Sequence, residues 1–318
     1  MPDSAINSVL PRIEAELKKA IVGQEEIVEQ ILVALVAGGH VLLEGVPGLA
    51  KTLLVRSLAQ ALGVKYRRIQ FTPDLMPADV LGTAIFDPKE LAFRIKQGPI
   101  FTNLLLADEV NRTPPKTQAA LLEAMEESQV TIEGDSLALP APFMVFATQN
   151  PIEFEGTYPL PEAQLDRFLM KVKISYPAEA AERTILERHY QGFSAKQLSE
   201  AGIEPVVDAA DLLALRQAHR SVIVEAKVLD YINAIVRATR EWSTLSMGAS
   251  PRGAIALLAA SQSLALVRGR TFVTPDDVKE MALPILRHRV ILRPEAEVEG
   301  TQADQVIGQI LASLPVPR

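Results

Sequence analysis

The sequence contains no cysteine. That absence removes disulfides, thiolate metal sites and cysteine nucleophiles together, and it fits a reducing compartment. A basic excess is also missing: 32 Lys and Arg face 39 Asp and Glu, a formal net charge of −7. No global positive field draws in nucleic acid or an anionic membrane surface. A long hydrophobic run is lacking as well. The longest apolar stretch, Ile31 to Val46, is broken by Gly38, Gly39, His40 and Glu44, too soon for a bilayer span. The amino terminus carries Asp3, Glu14 and Glu16 without an apolar core segment, unlike a signal peptide. The four histidines, at 40, 189, 219 and 288, show no metal-ligand spacing. The expectation is a cytoplasmic protein with no membrane insertion and no nucleic-acid partner. At 318 residues, 48% hydrophobic and 22% charged, it has material for one large or two ordinary globular domains.

The chain is organised around Val41-Leu42-Leu43-Glu44-Gly45-Val46-Pro47-Gly48-Leu49-Ala50-Lys51-Thr52. The short apolar run suits a buried parallel strand, because covering both faces removes polar alternation. A turn bearing glycine and proline follows, then a helix periodic in Leu53, Leu54, Leu58 and Leu62. Strand, tight loop and helix start make a phosphate cradle: backbone N–H groups point inward and the helix dipole adds positive potential. Lys51 would neutralise the β- and γ-phosphates of ATP, and the Thr52 hydroxyl would ligate Mg²⁺. The pattern wants glycine where Ala50 stands. Alanine fits if the backbone there is right-handed helical; at positive φ it costs about 1 kcal/mol. A strand–turn–helix corner capped by threonine is the bland alternative.

Asn103-Leu104-Leu105-Leu106-Ala107-Asp108-Glu109 is the second informative stretch. Ligands of open α/β sheets bind at the carboxyl ends of strands, where these two acids stand. Asp108 can hold Mg²⁺ through water and Glu109 can polarise the attacking water. With a candidate phosphate loop upstream, this pairing favours a nucleotide site over a strand ending in solvated acids. Asn150 closes a further apolar strand, 143–150, and can orient the lytic water; before Pro151 it also suits a turn. Arg167 can reach a nucleotide held by a neighbouring subunit, or form a salt bridge with Asp166 or Glu162. Arg252 opposes the dipole of the helix it starts, which suggests a phosphate contact. Val22 and Gly23 offer an apolar shelf for adenine, or a helix C-cap.

Helices are predicted over 5–20 and 24–37 and a strand over 66–71. An insertion over 72–100 carries a hairpin around Phe86-Asp87-Pro88-Lys89. A helix starts at Pro114 with Thr113 as N-cap, a hairpin spans 129–139, and a last strand runs from Phe168 to Ile174. A helix over 178–191 precedes a linker, 192–207. From Asp208 onward only helices are expected: 208–218, 225–241, 251–268 (capped by Ser250) and 275–288. Trp242 and Met247 are expected on the core, and the last dozen residues as a weakly structured tail.

In order along the chain, Gly45 through Thr52, Ala107 through Arg112, Ala147 through Pro151, Gly156 through Phe168, and Ser250 through Gly253 resemble the MoxR family of AAA+ ATPases. The Gly156–Phe168 stretch is the most specific of these. The resemblance implies an α/β fold: a P-loop AAA+ core, five parallel strands flanked by helices, over 1–191, then a smaller all-α lid over 208–318. Lys51 and Thr52 then belong to Walker A, Asp108 and Glu109 to Walker B, Asn150 to sensor 1, Arg167 to the arginine finger and Arg252 to sensor 2. The 72–100 stretch resembles the clade's helix-2 insert. The resemblance also implies a homo-oligomeric ring, commonly a hexamer, that remodels partner proteins, many bearing a von Willebrand factor A domain. Arg252 can act in cis or in trans, and Arg112 is a second inter-subunit candidate.

The residues also admit a small-molecule kinase, a nucleotide-gated scaffold or a DNA-translocating ring. The absence of an arginine cluster for a phosphate acceptor argues against the kinase. The Asp108-Glu109 pair argues against the scaffold, and the acidic balance against DNA.

Overall fold

The computed structural model describes residues 3–150, 156–194 and 201–317; Pro151 and part of the expected linker, 195–200, lie outside them. Helices α1 (Asp3–Ala20) and α2 (Glu25–Ala37) lead into β1 (Val41–Glu44). In α1, Leu10, Ile13 and Leu17 fall on one helical face and are buried. Helix α2 is apolar almost all round because it is covered on several sides, by α1, β9 (Met170–Lys173) and two later helices. Gly38, at φ 73°, ends it: Gly38 and Gly39 donate back to Leu35 and Ala34 at 3.3 and 3.1 Å.

Helix α3 (Lys51–Ala61) and β2 (Tyr66–Gln70) follow, then the insertion: α4 (Pro77–Leu81) and the hairpin β3 (Gly82–Asp87) and β4 (Ala92–Gln97). Next come β5 (Leu104–Asp108), α5 (Pro115–Glu127), the hairpin β6 (Gln129–Ile132) and β7 (Asp135–Ala138), β8 (Met144–Gln149), α6 (Glu162–Leu165), β9 and α7 (Glu179–Tyr190). The five-stranded sheet has the order β2-β5-β8-β1-β9, with every pairing parallel. Successive side chains alternate between its faces. Leu43, Leu104, Leu106 and Phe146 join one core with α1, α2 and α3, while Leu42, Leu105, Val145 and Ala147 join a second core with α5 and β6.

The C-terminal region comprises α8 (Ala209–Ala218), α9 (Ala226–Glu241), α10 (Pro251–Val267), α11 (Pro275–Leu286), α12 (Pro294–Val298) and α13 (Ala303–Ser313). Its core is continuous with the first core, because α2 packs against both α8 and α10. Arg268 adds an ionic tie, at 2.8 Å to Glu29 of α2 and 2.6 Å to Glu280 of α11.

Several local expectations are corrected. The region beyond Asp208 also contains a two-stranded antiparallel ribbon, β10 (Leu245–Met247) with β11 (Ile291–Leu292); strands this short give no period-2 signal. Met247 lies on that ribbon 45% exposed rather than on the core, whereas Trp242 does pack against it. The expected tail is largely α13, with Ile307 and Ile310 fully buried. Helix α5 starts one residue late, with Pro114 at the N-cap and no capping bond from a side chain.

His40 fixes the approach to β1. Its Nδ1 accepts the Val145 N–H at 2.9 Å, and its Nε2 donates to the Met125 carbonyl at 3.0 Å. Burial, reinforced by Arg216, pulls its pKa from 6.5 down to about 4 against the opposing pull of the Met125 carbonyl. The unfolded chain therefore takes up this proton first as pH falls. The stability His40 contributes is complete above about pH 6.5 and is lost progressively towards pH 4. In denaturant titrations over that window the parent should lose stability more steeply than His40→Gln; parallel curves would contradict the assignment.

Candidate functional site

The loop after β1 is shaped by steric need. A Cβ on Gly45 would sit 2.7 Å from the Ile174 carbonyl, and Gly48 adopts φ +89° with open space where a side chain would stand. The first glycine thus lets the loop lie against the end of β9, and the second leaves the backbone bare towards open space. Ala50, the N-cap of α3, is left-handed at φ 58° and ψ 18°, so the condition under which alanine would be strain-free is not met. No side chain caps α3, and its first N–H groups and dipole face the loop. The Lys51 ammonium folds over that loop, donating to the carbonyl of Gly45 and, at 3.4 Å, to that of Val46. Thr52 follows in the first turn of α3.

Strand order sets what surrounds the cradle. Because β8 lies between β1 and β5, its end, at Asn150, stands between the cradle and the acids, one strand spacing (roughly 4.8 Å) from each. Asn150 is nearly buried there. Asp108 accepts the Thr148 hydroxyl at 2.5 Å and Arg68 at 2.6 and 3.0 Å. Glu109 is left-handed at φ 57° and ψ 49°, a strain held in place by its N–H, which donates to the Thr148 hydroxyl at 2.8 Å. Its carboxylate accepts Gln70 at 2.7 Å and Arg112 at 3.0 Å. Arg112 therefore meets Glu109 within the same chain. Arg68 and Gln70 were not found from sequence. Their signal is positional: β2 pairs with β5 so that Gln70 lies level with Asp108.

Beside the cradle lies an apolar cavity of about 300 Å³, walled by Val22, Leu49, Leu53, Ile185, Leu186 and Phe193. Gly23 does not line it. Nor is Gly23 the C-cap of α1, which ends three residues earlier at Ala20. At φ +69° it lets the 21–24 turn lie against α7, where a Cβ would stand 2.3 Å from that of Ala181.

Arg167 and Arg252 are brought together, but not to this cradle. Both pair with Glu126 near the end of α5: Arg167 Nε at 2.8 Å and Arg252 Nη2 at 3.3 Å. They line a cavity of about 500 Å³ with Gly39, His40 and Phe143, the residues that precede β1 and β8. This is the amino edge of the sheet. At roughly 3.3 Å per residue, the four residues of β1 put about 13 Å between that edge and the cradle, more than an arginine side chain spans. Neither Asp166 nor Glu162 pairs with Arg167; Asp166 pairs with Arg289 at 2.7 Å. Ser250 occupies the N-cap of α10, yet its hydroxyl donates to Asp166 at 3.0 Å instead of capping.

The residues present fit a magnesium nucleotide: an uncapped helix start behind bare glycine backbone for phosphates, hard oxygens at Thr52 and Asp108 for the metal, and an apolar slot for a base. Relieving the left-handed alanine tests the cradle's geometry. Ala50→Gly should raise the unfolding free energy by about 1 kcal/mol in denaturant titration, and destabilisation would contradict the strain.

The chain matches the model of the ATPase family associated with various cellular activities (AAA) over residues 40–170 and that of the AAA lid domain over 237–310. It is 45% identical over 318 residues to Chaperone MoxR1 of Mycobacterium tuberculosis, covering 97% of this chain and 82% of that one. It is likewise 45% identical over 312 residues to YeaC of Bacillus subtilis, covering 98% and 96%. A crystal structure of a candidate ATPase from Cytophaga hutchinsonii superposes with a TM-score of 0.90 at 42% identity, covering 99% and 96%. Glycine loop, acid-ended strand, helical C-terminal region and these likenesses agree, and the chain belongs to the MoxR family of AAA+ ATPases.

Proposed function

We propose that this chain hydrolyses ATP at sites shared between neighbouring copies in a ring, and uses the hydrolysis to remodel partner proteins. The observation that carries this reading is the separation of Arg167 and Arg252 from the cradle of their own chain. At the sheet's amino edge they serve a phosphate only if it belongs to another copy.

Within one chain the roles follow from placement. The Gly45–Ala50 loop and the start of α3 bind phosphate oxygens, Lys51 swings from the Gly45 and Val46 carbonyls to the terminal phosphates, and Val22 with Leu53 covers the base. Thr52 and Asp108 would hold Mg²⁺, which would neutralise phosphate charge. Glu109 takes a proton from the attacking water and Asn150 orients that water. Glu109 is first held by Gln70 and Arg112, so its release is a step the site must include. Arg167 and Arg252 of the neighbour leave Glu126 and stabilise charge on the departing phosphate.

The β3–β4 hairpin projects Phe86, Leu91 and Phe93, all well exposed, from the sheet. We assign it to contact with the client or with a von Willebrand factor A-domain partner, as family membership suggests.

Glu109→Gln should bind ATP as the parent does while phosphate release falls roughly a hundredfold or more. Turnover at the parental rate would remove Glu109 from its role. For the parent, phosphate released should equal ATP consumed with no acceptor present, a balance a kinase would not show. Arg167→Ala and Lys51→Ala proteins, each inactive alone, should regain activity when mixed, because some interfaces then pair an intact cradle with an intact arginine. No regain at any ratio would contradict a shared site.

A further inference from the structure

A third arginine, Arg289, lies beneath the pair at the sheet's amino edge. Its side chain is 2% exposed, and all five of its N–H donors are engaged. Nε donates to the Asp166 carboxylate at 2.7 Å. One terminal nitrogen donates to the carbonyls of Leu169, at 2.9 Å, and Ile285. The other donates to those of Asp166, at 3.2 Å, and Phe168, at 2.6 Å. Four of these five bonds fall on residues that flank Arg167. The fifth acceptor, Ile285, belongs to α11.

The same acid reaches the helix that bears the second arginine of the pair. Asp166 accepts the Ser250 hydroxyl at 3.0 Å, and Ser250 begins α10 two residues before Arg252. One buried guanidinium therefore joins the segment bearing Arg167, the start of the helix bearing Arg252, and α11. Burial of an ion pair is a poor route to stability alone, since desolvation costs several kcal/mol per ion. A fork of five fixed donors does give definite geometry.

Building on the shared-site reading, we infer that Arg289 is a positioning residue for the inter-subunit arginines. It locks the C-terminal helical region to residues 166–169, so that Arg167 and Arg252 move as one body towards the neighbour's nucleotide.

The test uses the full-length chain. Arg289→Lys keeps the charge but loses the fork, because an ammonium cannot reach all five acceptors together. Its own cradle should bind a fluorescent ATP analogue as the parent does, while kcat falls roughly tenfold to a hundredfold. The loss should be rescued by mixing with Lys51→Ala protein and not by mixing with Arg167→Ala protein, since the latter carries the same class of defect. Should Arg289→Lys not fold, as judged by circular dichroism, Asp166→Asn keeps the shape of the acceptor and should show a smaller loss with the same rescue pattern. Parental kcat in either folded variant overturns the inference. So does failure of Lys51→Ala protein to rescue them while it rescues Arg167→Ala. If Arg167→Ala itself is not rescued, the shared-site reading fails first and this inference falls with it.

Discussion

The structure depends on one constraint, the common direction of five parallel strands. Parallel pairing forces every crossover over a face and brings all strand ends of one kind to one edge. The cradle after β1, the acids after β5 and Asn150 after β8 converge because each follows a strand's carboxyl end. The same constraint sends the far end of α5 and the entry to β9 to the opposite edge, taking Glu126 and Arg167 with them. A single sheet thus separates the glycine loop and the acids from Arg167 and Arg252. On the proposed reading, two copies bring them together.

The carboxyl edge holds two strained residues of the site. Ala50 and Glu109 are both left-handed without being glycine, one at the start of α3 and one beside Asp108. Each is held by neighbours: Glu109 by Thr148, and Ala50 between the loop and α3. At the other edge the device is an ionic network. Asp166 collects Arg289 and Ser250, and Glu126 collects Arg167 and Arg252.

Much of this was legible in the sequence because it is local. The apolar run 104–107 ending in Asp108-Glu109, and the run 41–43 ending in a glycine loop, state their strand type and their polarity. What could not be read requires tertiary register. Gln70 and Arg68 act because β2 lies beside β5, and Arg289 because α11 packs on β9; neither pairing leaves a trace in spacing. The backbone sign at Ala50 is likewise set by loop closure and not by residue type. The β10–β11 ribbon and α13 were missed for a different reason: two or three residues carry no period, and a terminal position says nothing about burial.

The central claim is that the catalytic site is complete only between copies. Its most direct measure is ATP turnover per chain as a function of protein concentration, followed beside sedimentation velocity in the presence of magnesium and nucleotide. The account predicts turnover near zero at concentrations where monomers sediment alone, rising in step with the assembled species. Constant turnover per chain down to the monomer would contradict it.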